Sequence, residues 1–347
     1  EERKINLTRL LSSLSSLELK KGNVRELLKK MNEVMYDFNQ EGVEKLNNTP
    51  VLNFILEVLK NPDLAEDEEE NYFNKVFEIA KEFEDLLDET YVSIDREVSS
   101  LFSFKERKDT YLSLVTINLA KRFKEIIDKN NVLVLMSGTL HSEQVIKDIF
   151  GISKFKIIEA EINFPGMISK YRTGLEKNCK YENFKIGNVT RQDYLKALSE
   201  CVKRAKPPVL IHVNSFEDLP TEEEKSRYNI TNLISREKIK VLQENNREVE
   251  KFKEGKIDIL FTTKCSRGID FPGEQCNSII LTKYPYPNIS SLFWQILRKE
   301  KPDKFTEFYM DKARRSLLQK IYRGLRFKGD HIILLSPDIR VLNDSLK

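Results

Sequence analysis

The sequence contains few of the residues from which metal sites and disulfide frameworks are built. Its 347 residues include three histidines and four cysteines, and Cys179, Cys201, Cys265 and Cys276 are 22, 64 and 11 residues apart, with no C-x-x-C pair. A structural zinc site, an iron–sulfur site or a disulfide framework made by this chain alone is therefore not expected. We expect buried free thiols instead.

Long apolar runs and a large net charge are also absent. No apolar run approaches the roughly 18 residues that a membrane-spanning helix needs, and the first ten residues lack the pattern of a secretory signal. The 58 Lys and Arg against 55 Asp and Glu give a net charge of +3, so an anionic partner must be bound by a local basic patch. We predict a globular, cytoplasmic protein of two or three domains without a membrane association; in a eukaryote the location would be nuclear.

Apolar residues recur at intervals of three and four through residues 1–108, which is the pattern of amphipathic helices. One such stripe consists of Val24, Leu27, Leu28, Met31, Val34, Met35 and Phe38. We predict an all-helical segment here. From about Thr110, helices alternate with short β-branched segments, which predicts an α/β fold with a mainly parallel sheet.

The α/β part contains several candidate strands and two clear helix starts. Asn118 and Thr190 each precede an amphipathic run and are good N-cap residues. Short apolar or β-branched runs predict strands at Leu112–Ile117, Val132–Met136, Val209–Val213, Ile230–Ile234, Ile257–Phe261 and Ser278–Leu281, and Val132–Met136 has the composition of a buried parallel strand. A polar helix is predicted over Glu237–Lys253.

Small polar residues follow two of these predicted strands. Ser137-Gly138-Thr139 comes after Val132–Met136, and Asn214-Ser215 comes after Val209–Val213. The carboxyl edge of a parallel sheet is where ligands bind in α/β proteins. Taken alone, Ser137-Gly138-Thr139 is better explained by a plain strand-to-helix turn.

The loop after Ile257–Phe261 combines hydroxyls, glycines, cations and a carboxylate. Its hydroxyls and backbone N–H groups suit phosphate oxygens, and Asp270 suits a ribose hydroxyl or a water. The alternative is a tight loop between strands with a solvent-facing Asp270. Tyr284–Asn288 follows and offers rings that suit base stacking, with plain packing as its alternative.

The most basic stretch is Lys312–Lys328, which holds seven Lys or Arg and no acid. On a helix at about 100° per residue, Leu317, Leu318, Ile321 and Leu325 share one sector, and Gln319, Arg323 and Arg326 lie on the opposite side. One face would pack and the other would present two guanidiniums and an amide. A solvated basic face is the alternative.

Taken in order, these segments resemble motifs III to VI of superfamily 2 DNA helicases of the XPD/DinG type. The resemblance rests on MSGTL at Met136–Leu140, the turn at Asn214-Ser215, TTKCSRGIDFPG at Thr262–Gly273, YPYPN at Tyr284–Asn288 and QKIYRGLR at Gln319–Arg326. It covers the chain from about Leu112 to its end. It implies a RecA-like second motor domain at 151–347, a remnant of the first motor at 109–150, and an arch-like helical insertion at 1–108.

The resemblance also implies roles for individual residues. Arg323 and Arg326 would reach the ATP γ-phosphate, with Gln319 as the leading residue of their motif. Gly268 and Asp270 would couple nucleotide to DNA, while Ser137, Gly138 and Thr139 would lie in the cleft between the motors. DNA would be contacted by Asn214, Ser215, Thr262, Thr263 and Tyr286.

The implied function is an ATP-dependent DNA helicase that translocates on single-stranded DNA and unwinds forked duplex, as a monomer with DNA-repair protein partners. ATP and Mg²⁺ would be held mostly by the first motor domain, and an iron–sulfur cluster would belong to the N-terminal half. No G-x-x-x-x-G-K-[ST] loop occurs in the sequence, so we expect these residues to be the C-terminal part of a longer helicase, inactive alone.

Two positions depart from the family pattern. Tyr322 stands where the family has Gly before the first arginine of motif VI, and Arg267 replaces the usual acid before the Gly of motif V. They motivate an alternative: a helicase-like nucleic-acid or protein binding module that has lost its ATPase activity.

Overall fold

The structure is a computed structural model that describes residues 1–18, 24–37, 42–65, 72–99, 107–158, 166–244, 247–264 and 268–346. Its strands are β1 (Glu2–Asn6), β2 (Glu44–Lys45), β3 (Thr90–Ser99), β4 (Arg107–Thr116), β5 (Met167–Lys170), β6 (Val209–His212), β7 (Ile259–Thr262), β8 (Ser278–Leu281) and β9 (His331–Leu335). Its α-helices are α1 (Leu7–Glu18), α2 (Val24–Asn32), α3 (Val51–Leu59), α4 (Tyr72–Phe83), α5 (Leu119–Asp128), α6 (Glu143–Asp148), α7 (Tyr181–Lys185), α8 (Arg191–Arg204), α9 (Glu222–Tyr228), α10 (Arg236–Leu242), α11 (Arg247–Lys253), α12 (Leu292–Glu300), α13 (Pro302–Ile321) and α14 (Ile339–Asn343).

The chain forms two compact units. The first consists of Glu1–Leu133, Ile146–Ser153 and Asn288–Thr306, and the second of Val134–Val145, Lys154–Pro287 and Glu307–Lys347. These units divide the chain differently from the three predicted segments, and β4 runs across the boundary placed at residue 108. The three-domain division itself stays a prediction.

The first unit is not all-helical, which corrects the expectation for residues 1–108. It contains an antiparallel sheet of order β1-β4-β3-β2, in which β3 and β4 pair along their whole lengths. The strands were hidden because β1 is mostly charged and its partner β4 lies about a hundred residues away in sequence. Their inward side chains, such as Ile5, Val92 and Leu112, join the core formed by α1 to α4.

The second unit confirms the predicted α/β class with a RecA-like parallel sheet. Its five strands are all parallel in the order β5-β9-β8-β6-β7. Because neighbouring side chains of a strand point to opposite faces, Leu210 joins one core cluster with α13, while Ile211 joins the other with α8. Both faces are therefore covered, as the continuous apolar strands predicted.

Three local predictions were wrong. Val132–Met136 is not a strand, and its side chains are 39–91% exposed because neither sheet of the described residues pairs with it. Ile230–Ile234 is a loop whose Ile230 and Leu233 are apolar because they pack in the core cluster with α8. The helix predicted over Glu237–Lys253 is instead the separate helices α10 and α11.

The cysteines that the structure describes are buried free thiols, as expected. Burial raises the pKa of Cys179 and of Cys276 to about 12, and it also raises the pKa of Cys201. Cys265 lies outside the described residues. Among the described helices, none is both long and apolar enough to cross a membrane.

The predicted N-caps Asn118 and Thr190 are both confirmed. The Thr190 hydroxyl accepts the backbone N–H of Asp193 at 3.1 Å, and the Asp193 carboxylate accepts the backbone N–H of Thr190 at 3.2 Å. Such a reciprocal pair satisfies donors that the first turn of a helix leaves open. It fixes the start of α8, which packs on the parallel sheet.

Replacing Thr190 by alanine removes this cap and should lower the free energy of unfolding by about 1 kcal/mol. Thr190→Ser keeps the hydroxyl and should stay close to the wild type. Urea unfolding of the three proteins measures the difference. A serine variant as unstable as the alanine variant would show that the hydroxyl does not stabilise the helix.

Candidate functional site

The basic stretch forms a helix that ends earlier than predicted. α13 stops at Ile321, and Tyr322–Gly324 continues as a single 3₁₀ turn. Leu317, Ile321 and Leu325 are buried as expected. Gln319, however, does not share one helical face with the two arginines, because the backbone changes course between them.

Arg323 and Arg326 converge on a single carboxylate. Nη1 of Arg323 lies 2.7 Å from Oδ1 of Asp270, and Nη2 of Arg326 lies 2.5 Å from the same oxygen. Nη1 of Arg323 also donates to the carbonyl of Ile269 at 3.3 Å. The Arg323 side chain is 13% exposed, whereas those of Arg326 and Asp270 are each 42% exposed. Arg323 is therefore the more buried cation of the cluster, and Arg326 is the more accessible one.

Asp270 is kept ionised by its two partners. Partial burial alone would raise its pKa, but the hydrogen bonds from Arg326 and Arg323 outweigh this and hold the pKa below its usual value. The backbone adds another connection, since the N–H of Phe271 donates to the carbonyl of Arg323 at 2.8 Å. Residues predicted from two separate motifs thus form one charged cluster.

Gly268 precedes this cluster in a left-handed conformation. Its φ is +76°, and an added Cβ would meet no atom within 4 Å. The position thus favours glycine because of its backbone conformation and not because of crowding. Arg267, the second departure from the family pattern, lies outside the described residues.

The segment Ser137–Thr139 lies against α13. Nε2 of Gln319 donates to Oγ1 of Thr139 at 2.9 Å, and Nε of Arg315 donates to the Thr139 carbonyl at 2.8 Å. The Ser137 hydroxyl bonds to the same carbonyl at 2.9 Å, closing a tight turn around Gly138. The structure therefore brings Gln319 together with the predicted Ser137–Thr139 segment.

Sequence reasoning missed the polar residues that complete this contact. Asp311 accepts the N–H of Ser142 at 2.9 Å and lies 2.5 Å from Nδ1 of His141. Burial would raise the pKa of Asp311, but its hydrogen bonds to His141 and Ser142 lower it. Asp311, Arg315 and Gln319 are four residues apart, so they lie along one side of α13. That spacing was the available signal.

The predicted DNA-contact residues gather at the carboxyl edge of the sheet. β6 and β7 are adjacent and parallel, with His212 opposite Thr262, so Asn214 and Thr263 leave the sheet at the same edge. Asn214 is exposed. The Thr263 hydroxyl donates to Gln243 at 2.7 Å. This edge offers polar groups to a ligand.

Two other residues of this set have structural tasks in the fold. The Ser215 hydroxyl caps the 3₁₀ turn Phe216–Asp218 by accepting the N–H of Glu217 at 3.3 Å. Thr262 is buried, and its hydroxyl accepts the N–H of Lys264 at 3.0 Å. Both hydroxyls shape the edge of the sheet.

The aromatic segment is packed more closely than an exposed stacking platform would be. Tyr284 is buried, and Tyr286 is half-buried with its ring centroid 4.8 Å from that of Tyr284. Tyr309 stacks on Tyr286 at 5.5 Å, and the Arg340 guanidinium lies 5.2 Å from the Tyr286 ring. The rings therefore pack within the fold, which is the alternative that the sequence left open. Base stacking by Tyr286 stays a prediction.

Lys320 is a buried cation between this edge and the arginine turn. It is 8% exposed, its Nζ lies 3.4 Å from Oδ1 of Asn214, and its carbonyl accepts the Nε2–H of His212 at 3.1 Å. Burial lowers the pKa of Lys320 to about 8, although Asp218 opposes the shift. Burial likewise lowers the pKa of His212 to about 3. His212 is therefore neutral at pH 7, whereas Lys320 is charged at a cost to stability.

Replacing Lys320 by methionine should stabilise the fold at pH 7 by about 2–3 kcal/mol, because the native state then no longer buries a charge. The native Lys320 loses its proton near pH 8 and the unfolded one near pH 10.5. The penalty is thus complete below pH 8 and disappears as the pH rises towards 10.5. Chemical unfolding at pH 7 and pH 10 should show the gap between variant and wild type closing. An equal gap at both pH values would contradict the assignment.

Comparison with known proteins finds similarity to helicases, both in sequence and in fold. Residues 198–347 match a family model described as "Helicase C-terminal domain". A structure described as apo XPD is 16% identical with a TM-score of 0.56, and the match covers 99% of this chain and 70% of that chain. A structure described as an XPD helicase is 14% identical with a TM-score of 0.54, over 99% of this chain and 65% of that chain.

Xpd4 of S. tokodaii is similar to the same degree, at 15% identity and a TM-score of 0.54, over 98% of this chain and 68% of that chain. No curated protein matches the chain. At these identities the structural likeness shows the fold. The resemblance to XPD-type helicases is thereby confirmed as a likeness of fold, and residues 198–347 in addition match the helicase C-terminal domain model.

Proposed function

Because residues 198–347 match the helicase C-terminal domain model and the chain shares the fold of XPD helicases, we propose that it is part of an ATP-dependent DNA helicase. The chain spans 65–70% of the length of the XPD chains named above. It would supply the second motor domain, with Arg323 and Arg326 as arginine fingers. The complete protein would translocate on single-stranded DNA and unwind duplex.

The convergence of Arg323 and Arg326 on the Asp270 oxygen carries this proposal. Two guanidiniums that meet at one carboxylate oxygen present their donors to a single point, which is the arrangement that an oxyanion of a phosphate requires. Phosphoryl transfer is catalysed mainly by cations placed against developing negative charge, and a finger arginine contributes about 10³–10⁵ in rate. Asp270 is partly exposed, so a phosphate oxygen can replace it between the arginines.

The two arginines of the cluster fit the phosphates of ATP, but as cations they do not fit Mg²⁺. Arg323 and Arg326 would bind the transferring phosphoryl group, which ATP supplies when bound. No G-x-x-x-x-G-K-[ST] loop occurs in the 347 residues. We therefore propose that the phosphate-binding loop and the Mg²⁺ site are contributed by other residues of the complete protein.

Tyr322 does not prevent this arrangement. Its ring packs at the margin of the core cluster around α13, and both guanidiniums reach Asp270 with the ring in place. The departure from glycine at this position is therefore compatible with arginine fingers. Among the two functions weighed from sequence, the geometry supports the active ATPase better than the adaptor without ATPase activity.

The edge that carries Asn214 and Thr263 supports a path for single-stranded DNA. Both residues follow neighbouring parallel strands, and the exposed Asn214 amide suits phosphate oxygens as it stands, whereas the Thr263 hydroxyl would first have to leave Gln243. Contacts of this kind are independent of sequence, as translocation requires. The Tyr286 ring would stack on a DNA base only if it left its contacts with Tyr284 and Tyr309.

In the complete protein, Arg323→Ala and Arg326→Ala should each lower DNA-stimulated ATP turnover by about 10³-fold or more, because each removes a cation from the transition state. Nucleotide affinity should stay within a few-fold of the wild type. Steady-state ATPase assays and equilibrium binding of ATP measure the two effects. Arg227→Ala, which removes an exposed arginine paired with Glu223, is the matched control and should be fully active.

Normal turnover in both variants would exclude the arginine-finger assignment. A complete protein that binds single-stranded DNA but has no ATPase activity of its own would favour the adaptor function instead.

Asn214→Ala and Thr263→Val should weaken the grip on the DNA backbone. The DNA concentration that gives half-maximal ATPase activity should rise several-fold, while the maximal rate stays nearly constant, because only backbone contacts are lost. ATPase titrations with oligonucleotides at two salt concentrations measure this. Ser226→Ala, on the exposed face of α9, is the control. A lower maximal rate with unchanged DNA dependence would place these residues outside the DNA path.

A further inference from the structure

Asp330 makes an unusual set of contacts with the backbone of the arginine turn. It is the residue before β9 and is 6% exposed. Its Oδ2 accepts the N–H of Arg326 at 2.6 Å and the N–H of Phe327 at 2.8 Å. Its Oδ1 accepts the N–H of Gly273 at 3.0 Å. Both oxygens of a buried carboxylate are thus used by backbone donors.

These bonds join the two segments that form the charged cluster. Gly273 lies three residues after Asp270, and Arg326 is itself one of the residues held by Asp330. The same two segments are also joined by the bond from Phe271 N–H to the Arg323 carbonyl. One carboxylate therefore fixes the distance between the segment that carries the Asp270 anion and the turn that carries its cations.

The backbone of Asp330 is itself held by the sheet. Its carbonyl accepts the N–H of Met167 at the start of β5 at 2.7 Å, and its N–H donates to the carbonyl of Phe327 at 3.0 Å. Close packing adds to this, since a Cβ on Gly324 would lie 3.0 Å from Ile332 on β9. The position of the Asp330 carboxylate is thus fixed by bonds to the parallel sheet.

We propose that Asp330 is a positioning residue that holds Arg326, and through Gly273 the Asp270 segment, in the geometry needed to bind the transferring phosphate. This inference rests on the proposed function. Asp330 does not touch the phosphate, and it acts through the backbone of its neighbours. A displacement of about 1 Å at a reacting group can reduce a rate by about 10²-fold.

The three donors require a carboxylate and not an amide. A carboxylate accepts with both oxygens, whereas an asparagine replaces one oxygen by an N–H₂ donor. In either orientation of the amide, that donor faces at least one of the three backbone N–H groups. Asp330→Asn therefore breaks the connection while keeping the size of the side chain.

The test uses the complete protein and compares Asp330→Asn with the wild type. The turnover rate should fall by about 10- to 100-fold while ATP affinity stays within a few-fold. In the Arg326→Ala background, Asp330→Asn should cause a clearly smaller loss than in the wild type, because the part of its effect that acts through Arg326 is already gone. Thr190→Ala, which lowers stability far from the cluster, should leave the rate unchanged.

Hydrogen exchange gives a readout that does not depend on activity. In the wild type, the amides of Gly273, Arg326 and Phe327 should be protected, and Asp330→Asn should accelerate their exchange more than that of other buried amides. Rapid exchange at these three amides in the wild type would overturn the proposal, and this measurement needs no variant to fold.

The remaining outcomes separate the two hypotheses. Normal turnover of Asp330→Asn, in a protein that Arg326→Ala inactivates, would overturn this inference alone. Full additivity of the two substitutions would also overturn it. Normal turnover of Arg326→Ala would overturn the proposed function, and this inference with it.

Discussion

Two positive charges are held close together near the end of α13, and the structure around them is arranged to make this possible. Arg323 and Arg326 would repel each other if Asp270 did not lie between them. The arrangement requires that two segments more than fifty residues apart in sequence meet with little freedom. The parallel sheet, the 3₁₀ turn and the backbone bonds at Asp330 together provide that constraint.

α13 serves the site at two places. One side of the helix, formed by Asp311, Arg315 and Gln319, contacts the segment Ser137–Thr139 and its neighbours. The C-terminal end of the helix leads into the turn that carries both arginines. The helix is held to the sheet by Ala313, Leu317 and Ile321. A change at the Ser137–Thr139 segment and a change at the arginine turn therefore act on one rigid element.

Sequence reasoning succeeded where the pattern was local. The continuous apolar strands β6 and β8, the N-caps of α5 and α8, and the buried side of α13 were all predictable, because neighbours in sequence determine them. It failed where a segment forms a strand only if a distant segment pairs with it. The apolar run at Val132–Met136 has the composition of a strand but no partner among the described strands, and the charged β1 is a strand because β4 pairs with it. The candidate site divides in the same way: motif order brought Asp270 and the arginines to attention, whereas Asp330 could not be found without knowing which backbone N–H groups turn inwards.

For the 347 residues on their own, the exposed run Val132–Met136 is a segment prone to self-association. Five apolar residues without a charge, a proline or a glycine have the composition of segments that associate as β-strands between molecules. A net charge of +3 spread over 347 residues provides little long-range repulsion between copies. Self-association of these residues would thus be driven by apolar contact, so added salt would strengthen it and dilution would reverse its first steps.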